Sequence, residues 1–301
     1  MAGLGTISVR TLPVGGAVAA AAALDPPGTW LQGHRHLVLL VHGFNVSQPD
    51  AEAAYALQFA NVAPDVVRVL WPGDARGGTA ASVSSYPFQI PSARDSAARL
   101  ADRLRGLFGP GGGPAVVSIV GHSLGCRLAL ELLALVRQEP GSFPQVAVVA
   151  LMAAAVPVAL VDGGGGLVPA AGLPARLAVL HSAADEVLHL AFPTGQTTAR
   201  VLGLDEGNLV FGAAPFNLAV GRFGDPAGLA AARTDMTGFG YGHGSYWGGP
   251  EAFNAVAPLF GTAAPRALPV RGTVTRSPPA GRPAAVVGGI ISRLLPVRRL
   301  V

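Results

Sequence analysis

Apolar residues in this chain come in short unbroken runs, separated by stretches with helical spacing. Leu37-Val38-Leu39-Leu40-Val41 is a run of five consecutive branched aliphatics. Similar runs recur at Val66-Val67-Arg68-Val69-Leu70, at Ala115 to Val120, at Val146 to Met152 and at Leu177-Ala178-Val179-Leu180-His181. Runs of this length without polar alternation predict strands buried on both faces of a parallel sheet. Between them the period changes. A helix is expected from a cap at Ser47 or Asp50 to about Asn61, and another from Ser92 to Phe108. The second sets Ala97, Leu100, Leu104, Leu107 and Phe108 on one face against Arg94, Asp95, Arg99, Asp102 and Arg103. A third runs from Cys126 to Gln138. Strands alternating with helices predict an α/β class, with a mostly parallel sheet of about eight strands at most, covered by helices on both faces.

The remaining stretches read less regularly. Residues 1–31 are rich in Gly, Ala and Pro and predict an extension with one or two edge strands, Thr6 to Leu12 and Ala17 to Leu24. Residues 75–91, with Gly77, Gly78, Pro87 and Pro91, read as a loop. The main domain is expected over 32–261. Within it, Val187 to Phe192 begins a short helix, Thr194 to Phe223 has turns without a period, and 186–242 stands as a candidate cap or lid. Residues 262–301 form a Pro/Arg-rich tail whose Val287, Ile290, Ile291, Leu294 and Leu295 fall at helical spacing. Two readings of that tail stand: a surface- or partner-binding helix, or a segment that folds back on the body or stays disordered.

Candidate chemistry centres on Gly121-His122-Ser123-Leu124-Gly125, between an apolar strand and a helix. Such a turn lifts the serine hydroxyl off the sheet and sets it at a helix N-terminus, where developing negative charge is favoured. The two glycines allow the backbones to approach. A serine hydroxyl is a weak nucleophile and needs a base, and the base needs an orienting group. His243, in the glycine-rich Gly240 to Trp247 stretch, is the candidate base; it is the only histidine after His189. Asp185, in the loop after the Leu177–His181 strand, is the candidate acid, with Asp162 and Asp235 as alternatives and Glu186 one position late. Asp185 also fits a helix cap. The N–H groups of Leu124 and Phe44 are the candidate oxyanion donors. His42 reads as shaping the Phe44 loop, and His122 as structural. Asn45, Tyr86 and Trp247 are pocket candidates, beside Phe88, Phe192, Phe239 and Tyr246; aromatics at this spacing also suit a core. Asp74 reads as a turn residue.

These motifs together resemble the serine α/β-hydrolase superfamily. They are Val41-His42-Gly43-Phe44-Asn45, Trp71-Pro72-Gly73-Asp74, Gly121-His122-Ser123-Leu124-Gly125, Asp185-Glu186-Val187-Leu188 and His243. Within the superfamily the chain is similar to poorly characterised bacterial hydrolases with a His-Gly-Phe-Asn loop. The resemblance spans roughly residues 35–250 and leaves both termini outside. In that superfamily the acid and then the histidine follow the serine, the order found here. It implies Ser123 as nucleophile, His243 as base and Asp185 as acid. The activity implied is hydrolysis of a carboxylic ester; acyl transfer, thioester or amide cleavage, and a non-catalytic binding protein on the same fold are the alternatives.

Composition narrows the setting. Only 13% of residues are charged, the net charge is +4, and every basic residue is arginine. No long arginine run is interleaved with aromatics, which argues against nucleic acid as a partner; a small-molecule ester is the expected one. One cysteine, Cys126, excludes an internal disulfide and fits a reducing compartment. The start of the chain lacks a basic, leucine-rich leader. The longest uncharged apolar run, Val146 to Val161, is shorter than the roughly 18 residues a spanning helix needs and contains Pro157. A soluble, cytoplasmic protein without stable membrane insertion is expected. No His, Cys or Asp cluster has ligand spacing, so neither metal nor organic cofactor is expected.

Overall fold

The computed structural model describes residues 5–27, 34, 36–62, 65–74, 79–108, 116–139, 141, 143–205, 218–223 and 231–260, with side chains from residue 84 onward in the 79–108 segment. The tail at 262–301, including the amphipathic stretch, and parts of the candidate cap lie outside the described residues.

Eight strands form one sheet: β1 (Gly5–Arg10), β2 (Val18–Asp25), β3 (His36–Val41), β4 (Val66–Leu70), β5 (Val116–His122), β6 (Gln145–Met152), β7 (Arg176–His181) and β8 (Ala231–Asp235). Their order is β2-β1-β4-β3-β5-β6-β7-β8. Only the β1–β2 pair is antiparallel. The fold is therefore an α/β-hydrolase fold with a mostly parallel sheet. The unbroken apolar runs lie at its centre: Leu37 to Val41 are all 0% exposed.

The main helices are α1 (Gln48–Ala56), α2 (Thr79–Phe108), α3 (Leu124–Gln138), α6 (Phe192–Val201) and α8 (Pro250–Val256); short ones are α4 (Val158–Val161), α5 (Val168–Ala171) and α7 (Val220–Phe223). Parallel crossovers are right-handed. From β3 the chain steps through α1 to β4 in one direction, and from β4 through α2 to β5 in the other. The two helices therefore cover opposite faces. α3 packs beside α2. Phe253 of α8 meets Phe59, just past α1, edge-on at 5.7 Å, so α8 shares the α1 face.

The two strands expected near the N-terminus are present: β2 is the edge of the sheet, and β1 lies one strand in, hydrogen-bonded to β4, with Ile7 and Val9 0% exposed. Two expectations need correction. Residues 79–91 are helix rather than loop. Pro87 and Pro91 remove two backbone donors, each at a cost of about 3 kcal/mol. They are one turn apart, so the lost bonds fall on one stripe, while burial of Tyr86, Ile90, Ala93, Ala97, Leu100 and Leu104 holds the opposite preference. Finally, 186–242 contributes a strand to the sheet, since β8 pairs with β7 in parallel register.

Candidate active site

The nucleophile candidate occupies the turn between β5 and α3. Ser123 has φ 53° and ψ −126°, a region that costs a non-glycine residue about 1–3 kcal/mol. Three hydrogen bonds hold it there. Its N–H donates to Met152 O (3.0 Å), and its carbonyl accepts from Cys126 N–H and Ala155 N–H (both 3.1 Å). The glycines explain the close packing. A Cβ on Gly125 would overlap the carbonyl of His42 and stand 2.7 Å from that of Val41, while one on Gly121 would stand 3.1 Å from Cys126 Cα. Cys126 is buried, with its thiol pKa raised by burial, an inert packing group.

The two partners arrive from the carboxyl edge of the sheet. His243 lies in the loop between β8 and α8. Its Nε2 is 2.8 Å from Ser123 Oγ and its Nδ1 is 2.8 Å from Asp185 Oδ2. Asp185, in the loop after β7, has a fully buried side chain. Its Oδ1 accepts from Leu188 N–H at 2.9 Å, so one carboxylate both caps the turn and meets His243. The alternatives are placed elsewhere: Asp162 Oδ1 accepts from Gly163 N–H (2.7 Å), Asp235 Oδ1 accepts from Thr237 N–H (2.8 Å), and Glu186 is exposed.

The loop after β3 faces the serine. A Cβ on Gly43 would lie 2.7 Å from Ser123 Cβ, so only glycine lets this loop approach. Leu124 opens α3, and its N–H has no carbonyl one turn back. Asn45 takes φ 59° and spends its N–H on Gly73 O (2.7 Å), which ties this loop to the end of β4. His42 fixes the loop from beneath. Its Nδ1–H donates to Gly43 O (3.0 Å), its Nε2 accepts from Trp71 N–H (3.3 Å), and its ring stacks on the indole at 5.6 Å. Burial pushes its pKa down to about 4, so it is neutral and shapes the loop.

The pocket candidates separate. Tyr86 packs edge-on against Phe44 at 5.4 Å, and its hydroxyl accepts from Gln196 Nε2 at 2.9 Å. A Cβ on Gly195 of α6 would overlap this ring. Tyr86 thus joins the loop after β3 to α6, and Gln196 carried no sequence signal for that contact. Asn45 is exposed, as are Phe88 (55%) and Phe239 (59%). Trp247 is buried, edge-on to Tyr55 (5.1 Å) and Phe59 (5.2 Å), which is core packing. Phe192 and Tyr246 are also buried. Asp74 faces inward: Oδ1 accepts from Arg10 (2.8 Å) and Oδ2 from Gly15 N–H (2.5 Å), so it ties β1 to the end of β4 rather than awaiting a ligand. Among the described residues no group of three or more His, Cys, Asp or Glu could hold a metal ion, and no helix is long and apolar enough to cross a membrane.

Comparison with known proteins gives one family. The model for an alpha/beta hydrolase of unknown function, DUF900, matches residues 29–205. Among solved structures, the chain is similar to an esterase of Pyrobaculum calidifontis, at 16% identity over 80% of each chain with a TM-score of 0.41. It is similar to carboxyl esterase 2 of the mycorrhizal fungus Tuber melanosporum, at 15% identity over 86% of this chain and 85% of that one, TM-score 0.43. A hydrolase structure from Agrobacterium vitis S4 matches at 13% identity over 74% of this chain and 86% of that one, TM-score 0.41. No curated protein matches.

Proposed function

The chain belongs to the DUF900 family of α/β-hydrolases, a family of unknown function, and on that footing we propose that it is a serine hydrolase that cleaves a carboxylic ester through an acyl-enzyme. The observation that carries this reading is the continuous relay from Ser123 Oγ to His243 to Asp185, with both hydrogen bonds at 2.8 Å.

The chemistry follows from that geometry. Ser123 Oγ attacks the ester carbonyl carbon while its proton passes to His243 Nε2. The carbonyl electron pair moves onto oxygen, where the N–H groups of Phe44 and Leu124 receive it. Asp185 keeps the other imidazole proton on Nδ1 and stabilises the cation that forms. Collapse of the adduct expels the alcohol, which takes the proton from Nε2. Water then attacks the acyl-enzyme, giving up a proton to His243, and Ser123 leaves with that proton restored.

Short p-nitrophenyl esters test the reading. The wild-type chain is expected to turn them over. Ser123→Ala is expected to lose about a thousandfold or more in kcat/KM with an unchanged melting temperature. Undiminished turnover by Ser123→Ala would overturn the serine mechanism. An added alcohol separates hydrolysis from acyl transfer: free acid as the main product supports an esterase, whereas transfer ester as the main product does not.

A further inference from the structure

We propose that His122 is the positioning residue for the base: its Nε2–H fixes the main chain of His243, and with it the reach of the imidazole to Ser123. This rests on the serine-hydrolase reading above.

The base sits on a loop whose Tyr246 and Trp247 are buried, but the two residues on either side of His243 have no side chain to pack. Gly242 and Gly244 flank His243, and a Cβ at either would meet nothing within 4 Å. Glycines in open space have wide backbone freedom. The ends of the loop are fastened: Ser182 Oγ donates to Tyr241 O (2.7 Å), and Gln58 Nε2 donates to Gly248 O (3.0 Å). Between those points, among the described residues, the main chain of His243 is held from outside the loop by one bond, from His122 Nε2 at 2.8 Å. His122 adjoins Ser123 in sequence, so this bond ties the backbone of the base to that of the nucleophile. The ring is caged as well, with centroids 5.2 Å from His243, 6.0 Å from Tyr246 and 6.1 Å from Trp247.

The chemistry of the ring fits this task. Burial, and then the neighbouring His243, push its pKa down to about 3, so it carries one proton. A carbonyl partner requires that proton on Nε2. Nδ1 is then a buried acceptor with no hydrogen-bond partner among the described residues. An apolar ring would fill the same space without stranding Nδ1, so shape alone does not account for an imidazole here.

Three variants test it: His122→Phe, which removes the donor, His122→Gln, whose amide N–H reaches as far as Nε2, and His122→Asn, which falls one bond short. The readouts are the melting temperature, the second-order rate of Ser123 phosphonylation by a fluorophosphonate, and kcat and KM on a p-nitrophenyl ester. Phe and Asn are expected to slow phosphonylation and kcat by about tenfold to a hundredfold, with KM little changed. Gln is expected to restore both rates to within about threefold of wild type, as a retained donor should. Wild-type rates in Phe and Asn, or a Gln variant as slow as Phe, would overturn the proposal. Should His122→Phe not fold, the Gln and Asn pair decides alone. A wild-type chain that is not phosphonylated contradicts the serine-hydrolase reading itself, a result distinct from a reactive chain indifferent to residue 122.

Discussion

The two carboxylate oxygens of Asp185 have different partners, Leu188 N–H for Oδ1 and His243 Nδ1 for Oδ2. Asp185→Asn separates the two tasks. The amide keeps an oxygen for Leu188 N–H, so the turn should hold and the melting temperature should stay within a few degrees. Its NH2 group would face Nδ1, forcing the imidazole proton onto Nε2, where it blocks uptake of the serine proton. Turnover of a p-nitrophenyl ester is expected to fall by about 10³–10⁴-fold. Near-full activity would take the acid role away from Asp185. At this scale the candidate residues are legible because few residues compete: one elbow serine, one late histidine, and an acid just past a strand. His122 was legible only as structural, because its contact with His243 spans 121 positions and no local pattern announces it.

Elements set the distances between those residues. The elbow and the loop after β3 work because glycines stand where backbones nearly touch, at Gly43 and Gly125. Central strands were readable from continuous apolar runs, since burial on both faces leaves no polar alternation. β8 was not, because Ala231–Asp235 is a short edge strand with Arg233, Thr234 and Asp235, placed by pairing with β7 rather than by its own hydrophobicity. α6 was hidden by Gly195, which reads as a turn but serves the approach of Tyr86. The interior position of β1 depends on a pair 64 residues apart, Arg10 and Asp74. Both side chains are buried, at 1% and 7% exposure. Asp74→Ala would strand the guanidinium, at a cost of about 3–5 kcal/mol. A clear drop in melting temperature is expected in a thermal scan; an unchanged melt would show that the pair does not anchor the strand.

At the scale of the whole molecule, the loops at the carboxyl edge of the sheet carry the candidate site, and two buried neutral histidines adjoin it. Burial lowers His42 to about 4 and His122 to about 3, from an ordinary value of 6.5. As pH falls below 6.5 the unfolded chain takes up these protons before the folded chain does. The folded state therefore loses stability on acidification, down to the folded pKa values, with each ring contributing a slope of up to about 1.4 kcal/mol per pH unit. Urea unfolding midpoints are expected to fall from pH 7 to pH 5. A midpoint that rises over that range would contradict neutral burial of the two rings. The measurement that bears most directly on the molecule as a hydrolase is intact-mass and peptide mapping after exposure to a fluorophosphonate. A single adduct on Ser123, absent in Ser123→Ala and strongly slowed in His243→Ala, is the expected result. A folded wild-type chain that takes up no label, or takes it up equally without His243, would contradict an activated serine at this site.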